Sequence, residues 1–160
     1  MLENKPSAQE MGIDRTGEMI GTLGSRLHDE WRKSRWREDT KNYEPRVKKT
    51  VDSRWVESHG GVTEVDIANT PYEDLPSDWQ AENKASAEVA VDEVKKAIQT
   101  GVALDESFIE SASAVLHDRW LDRNGSWAPP EQQRPYHELS EEEKEKDRVI
   151  IKEAIEVVNG

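Results

Sequence analysis

Leu27, His28, Asp29 and Trp31 spell LHDxW, and Leu116, His117, Asp118 and Trp120 spell it again 89 positions later. Each copy leads to a second shared box. Pro71, Tyr72 and Leu75 give PYxxL, repeated by Pro135, Tyr136 and Leu139 at an offset of 64. At that offset Lys84 falls on Arg148, Ala90 on Ala154, Val91 on Ile155 and Val94 on Val158, so the match continues through a helix-length segment. Trp and His are scarce residues, and coincidence rarely places both twice in one spacing. The chain reads as an internal duplication, which constrains the fold before any single element is assigned.

The length of 160 residues suits one domain, or two small halves sharing a core. Ile, Leu, Val and Phe make up only 30 of the 160 residues and the net charge is −12, a balance that approaches disordered chains. Six Trp argue for a folded chain, since each can bury roughly 150–250 Å² and indoles could complete a core poor in aliphatics. The charge is uneven. Residues 1–60 hold 12 Lys and Arg against 11 Asp and Glu, whereas the remainder holds 10 against 23. Such a chain is a poor binder of duplex nucleic acid, which needs a basic face. The window 26–49, with nine basic and five acidic residues, is suited to a small anion instead. Without cysteine there is no disulfide or thiol metal site, and redox compartment stays open. The start of the chain lacks an apolar signal-like stretch and no run of about 18 apolar residues occurs, so a cytoplasmic protein without a membrane segment is expected.

Periodicity divides the chain. Residues 1–14 read as a polar, mobile lead-in. A first repeat spans 15–100 and a second 101–160. Ile20, Leu23, Leu27 and Trp31 mark one face of a first helix, with His28, Arg32 and Arg35 beside it. Thirty-nine residues separate Trp31 from Pro71 but only 14 separate Trp120 from Pro135, so the first repeat carries an insertion at about 37–66, read as loops with short strands. Ser77 and Gln80 fit a capping box for a helix buried through Ala87, Val91, Val94 and Ile98 and stopped by Gly101. Asp105 can cap the next helix, which carries Phe108, Ala112, Val115 or Leu116, and Trp120, and ends near Asn124. Ser140 and Glu143 form another capping box before a face of Ile151, Ala154, Ile155 and Val158. Each repeat is thus helix, loop, PYxxL, helix.

The LHDxW helices carry the candidate chemistry. On a helix His28, Trp31 and Arg32 converge, as do His117, Trp120 and Asn124 with Arg123 beside them. An indole stacks on a flat ring, a guanidinium forks onto phosphate and a His directs a hydrogen bond. The competing reading makes Trp31 and Trp120 core residues and the His and Asp braces for a facing loop. PYxxL positions the second helix, while Tyr72 and Tyr136 could present a hydroxyl to a cleft. Lys84 and Arg148 could meet a phosphate or simply pair with carboxylates. Arg35, Trp36, Tyr43, Arg46 and Trp55 interleave basic and aromatic residues, as a nucleotide pocket or a loop mini-core requires, and Trp127 in the Pro-rich loop adds another aromatic candidate. The HD dipeptides are shared with metal-dependent phosphohydrolases, but only His59 and His137 remain as further His, both in loops. No nucleophile elbow or phosphate-binding Gly-rich loop occurs.

LHDRWLDRN, RPYHELSEEEKEKDR and the apolar helix ending at Val158 resemble the RyR domain, the repeat of ryanodine receptors that also occurs in bacterial and bacteriophage proteins. The first repeat keeps LHDEWRKSR and TPYEDL but departs at SDWQAENKAS. The resemblance implies a mainly α fold with short β-strands, built from two pseudo-symmetric helix-loop-helix repeats. It implies no enzyme, but an interaction or ligand-sensing module, some prokaryotic members being associated with nucleotide-derived signals. The expected function is therefore non-catalytic binding of a small anionic ligand of the adenine-nucleotide or ADP-ribose class, without a cofactor or metal, as a sensor or a phage-encoded sequestering protein. A module that binds a protein partner and no small molecule is the alternative. Oligomeric state is left open.

Overall fold

The structure, a computed structural model, describes residues 15–159. The lead-in expected at 1–14 lies outside the described residues. Four long helices dominate: α1 (Thr16–Lys33), α3 (Ser77–Thr100), α4 (Glu106–Asn124) and α5 (Glu141–Asn159). Between α1 and α3 lie β1 (Trp36–Arg37), β2 (Asn42–Tyr43), β3 (Val47–Lys49), the short helix α2 (Ser53–Ser58) and β4 (Glu64–Asp66). The strands form two antiparallel pairs, β1 with β2 and β3 with β4. The fold is mainly helical, as expected. Among the described residues no helix is long and apolar enough to cross a membrane.

The halves share one core. Helix α3 packs against α1, α4 and α5, and its Ala87, Ala90, Val91, Val94 and Ala97 meet Leu23, Phe108, Ala112, Leu116, Ile151 and Ala154. The alanines let the helices approach closely, and each fully buried Leu, Val or Ile adds roughly 1.5–3 kcal/mol. Indoles do not complete this core, contrary to expectation: no Trp belongs to the buried set among the described residues. Ile98 is also outside it, 47% exposed near the end of α3, because Ala97 takes the inward position.

The helix ends follow the sequence in part. Asp105 accepts the Phe108 N–H at 3.0 Å, and Gly101 closes α3 in the left-handed conformation at φ 76°. The expected capping box at Ser77 is not formed. Pro76 occupies the cap position, and the Ser77 N–H donates instead to Asp52 Oδ2 of the insertion at 2.8 Å. At α5 half of the box forms: Ser140 Oγ accepts from Glu143 N at 3.2 Å, while the Glu143 carboxylate accepts from Lys146 and Gln132.

The insertion is more ordered than loops with short strands, since Asp52 caps the unforeseen helix α2. Polar anchors strap it to the bundle. Thr50 Oγ1 and Val51 N donate to Asp78, Trp79 Nε1 donates to Lys49 O, and Arg32 Nε donates to Ala68 O.

Candidate functional site

Both LHDxW boxes do the same local work. His28 Nε2–H donates to Thr70 O at 2.8 Å and His117 Nε2–H donates to Arg134 O at 2.8 Å, each acceptor lying one residue before the proline of PYxxL. A carbonyl can only accept, so Nε2 carries the proton in both rings. Trp31 stacks on His28 at 5.8 Å between centroids, and Trp120 stacks on His117 at 6.0 Å. Burial lowers the pKa of His28 below its usual value, and the Thr70 carbonyl offsets only part of that. The two His are braces, while the Trp they hold are half-buried and reach a cleft.

That cleft, about 640 Å³, opens between α1, α3, the end of α4 and the insertion. Four of the six Trp line it: Trp31, Trp79, Trp120 and Trp127. Trp120 and Trp127 meet edge to face at 5.9 Å, and Trp127 is 58% exposed. Cations line it too. Arg35 lies over the Trp31 ring at 5.2 Å and donates to the carbonyls of Glu44 and Pro45. Lys48 Nζ sits 5.8 Å from the Trp79 ring centre and 5.9 Å from that of Trp127. Burial lowers its pKa, and the neighbouring Arg46 guanidinium lowers it further. Among the described residues no carboxylate pairs with Arg35, Arg46 or Lys48.

The carboxylates of the cleft are already engaged. Asp78 accepts from Thr50 and Val51, and Glu82 faces Arg123 Nη2 and Asn124 Nδ2, each at 3.4 Å. Aromatic faces together with unpaired cations can hold a flat, anionic molecule.

A second chamber of about 310 Å³ adjoins the cleft. Trp31, Glu82, Asn83 and Trp120 line both, and His117, Leu139, Glu143 and Asp147 belong to the second. Burial pushes the Asp147 carboxyl up to about 7, with Glu143 adding to the shift and Lys146 opposing it.

Of the candidate residues picked from sequence, His28, Trp31, Arg35, Arg46, Trp120, Asn124 and Trp127 line the cleft, and His117 lines the second chamber. The other candidates line neither. Arg32 lies under the Tyr43 ring at 4.5 Å and holds the insertion through Ala68 O. Trp36 packs edge to face on Tyr43 at the hairpin, 43% exposed. Tyr72 is buried against Gly24, where an added Cβ would lie 3.3 Å from its hydroxyl. Lys84 is exposed on α3 and lines neither cavity. Arg123 donates to Glu82 and Ser86.

Tyr136 and Arg148 are consumed by an internal network rather than a ligand. Tyr136 Oη and Arg148 both donate to Glu110, at 3.0 and 2.6 Å, and Arg148 also reaches Glu141 at 3.1 Å. At the corresponding first-half positions stand Gly21 and Lys84, and Tyr72 Oη has no hydrogen-bond partner among the described residues. Trp55, read with the basic aromatic segment, stacks on His59 at 3.9 Å in a separate hollow.

Lys48, Trp79 and Asn83 are among the cleft residues that sequence reading missed. Lys48 carried no sequence signal: in VKK the apolar Val47 reads as the inward residue, yet Val47 is 55% exposed and Lys48 is half-buried. Trp79 falls on Glu143 at the offset of 64, so a search for repeated residues passes over it.

Among the described residues no group of three or more His, Asp and Glu converges as a metal site. Compared with known proteins, the chain matches no family model, no curated protein and no solved structure.

Proposed function

We propose that the chain is a non-catalytic binding protein for a small anionic nucleotide-derived ligand, of the adenine-nucleotide or ADP-ribose class, held in the cleft. The observation that carries this reading is the convergence of four indoles with three cations that lack a carboxylate partner among the described residues. Trp31, Trp79, Trp120 and Trp127 offer ring faces to a base, and Arg35, Arg46 and Lys48 offer charge to phosphate. The volume of about 640 Å³ lies within the range of pockets that enclose molecules of this size. Such a protein serves as a sensor of its ligand or, in a phage setting, sequesters an immune signal.

The same proposal makes the halves RyR-like repeats related by a pseudo-twofold axis. Support comes from the matched His to carbonyl bonds at 2.8 Å and the matched His–Trp stacks. A module that binds a protein partner is the second reading, favoured by the exposure of Trp36 and Trp127.

A thermal-shift series against adenine nucleotides, NAD, linear and cyclic ADP-ribose and cyclic dinucleotides, with and without divalent metal, separates these readings. Ligand at 100 times its dissociation constant should add about 2.7 kcal/mol to stability. A metal-independent shift with the compound recovered intact is the expected result. Silence across the series would transfer the case to the protein-partner reading, and a compound consumed on incubation would overturn the non-catalytic part.

A further inference from the structure

The second chamber repeats the cleft. His117, Trp120, Leu139 and Asp147 stand in it where His28, Trp31, Leu75 and Asn83 stand in the cleft, at the offsets of 89 and 64 that relate the two halves. The two are therefore one site built twice, side by side, with Trp31, Trp120, Glu82 and Asn83 as their common lining. Their chemistry has diverged. Trp79 in the cleft corresponds to Glu143 in the chamber, and Asn83 to Asp147.

We infer that the chamber around Asp147 and His117 takes the hydroxyl groups of a sugar, so that the ligand of the cleft is a nucleotide carrying a further ribose, as ADP-ribose does. This rests on the nucleotide reading of the cleft. Two acceptors in the chamber lack a hydrogen-bond donor among the described residues. His117 commits its Nε2–H to Arg134 O, which leaves Nδ1 as an acceptor in the neutral ring. That nitrogen faces Asp147 Oδ2 at 3.8 Å, too far for a hydrogen bond. The nearby donors are already engaged, because Gln132 Nε2 and Lys146 Nζ both donate to Glu143. Among the described residues no donor reaches the Asp147 carboxyl, although its side chain is only 15% exposed.

A buried carboxylate beside an imidazole lone pair repels phosphate and accepts from vicinal hydroxyls. Carboxylates hold ribose in this way in dinucleotide-binding folds. The chamber, at about 310 Å³, is half the size of the cleft, which suits a pentose beside a nucleotide. Burial and Glu143 hold Asp147 up to about 7, so the ionised, accepting form is best populated at pH 8.

Calorimetric titration of the full chain at pH 8 with ADP-ribose and with ADP tests this. Wild type should bind ADP-ribose at least 10-fold more tightly than ADP. Asp147→Asn, which exchanges one acceptor for a donor, should bring ADP-ribose to the ADP level and leave ADP unchanged. Equal affinities in wild type, or an ADP-ribose preference that survives in Asp147→Asn, overturn the sugar subsite while the cleft reading stands. If Asp147→Asn weakens both ligands equally, the chamber holds their shared adenosine and the inference is overturned. If neither ligand binds wild type at millimolar concentration, the nucleotide reading fails and takes the subsite with it.

Discussion

Asp147→Asn is expected to be more stable than wild type at pH 8, by roughly 4 kcal/mol, and within about 1 kcal/mol of it at pH 4. Asp147 has an ordinary carboxyl value of 3.8 when unfolded and is held up to about 7 when folded, by burial and then by Glu143. The folded protein therefore binds the proton more tightly than the unfolded chain. Its cost of ionisation is absent below about pH 4, grows as pH rises, and is complete above about 7. Asn has the shape of the protonated acid and carries no charge at any pH, so it removes that cost alone. Glu153 acts in the same direction. Burial, followed by the adjoining Glu30 carboxyl, holds it up to about 7, and its Oε2 is buried without a donor among the described residues. Glu110 and Glu141 act oppositely, because hydrogen bonds from Arg148 hold them below the usual range and their contribution is lost on acidification. Urea unfolding of both proteins at pH 4 and pH 8 measures the difference. A variant less stable than wild type at both values would show that Asp147 is not held in the protonated form.

Reversing one charge in the cleft should abolish binding without unfolding the protein. Lys48→Glu is expected to weaken ADP-ribose binding at least 100-fold, about 2.7 kcal/mol. Lys48 has no carboxylate partner among the described residues, so its replacement breaks no ion pair. What it removes is an ammonium held 5.8 and 5.9 Å from the Trp79 and Trp127 ring centres, in a lining that it shares with Arg35 and Arg46. The glutamate also places a like charge beside phosphate, which adds repulsion to the lost attraction. Wild-type affinity should fall as salt rises, since the cleft is open to solvent. Unchanged affinity in Lys48→Glu, with an unchanged circular dichroism spectrum, would remove the cations from the binding account.

The helices were legible in the sequence because their signals are local. Asp105 and Gly101 mark boundaries through single side-chain and backbone preferences, and the spacing of Ala87, Val91 and Val94 shows the buried face. Ser77 misled because its competitor is distant: Asp52, 25 residues earlier, reaches its N–H. Composition offers the six Trp as core material and the LHDxW spacing offers Trp31 and Trp120 to a ligand; four Trp line the cleft, and the core fills instead with alanines that set the helices close together. Repetition was the best guide to the braces, His28 and His117, whose bonds match to 2.8 Å. It was an incomplete guide to the residues that line the cleft. Lys48 and Trp79 occur in one copy only, and Tyr136 and Arg148, present in both copies as a pair of positions, are spent on Glu110.

The central claim is that a nucleotide-like ligand enters among the four indoles. The indole N–H region of a ¹⁵N–¹H correlation spectrum tests it directly, with the six resonances assigned by single Trp→Phe variants and followed during titration with ADP-ribose. The signals of Trp31, Trp79, Trp120 and Trp127 should move in one saturable transition, while those of Trp36 and Trp55, which lie outside the cleft, should stay in place. A spectrum in which no indole moves, or only Trp36 and Trp55 do, would contradict the account.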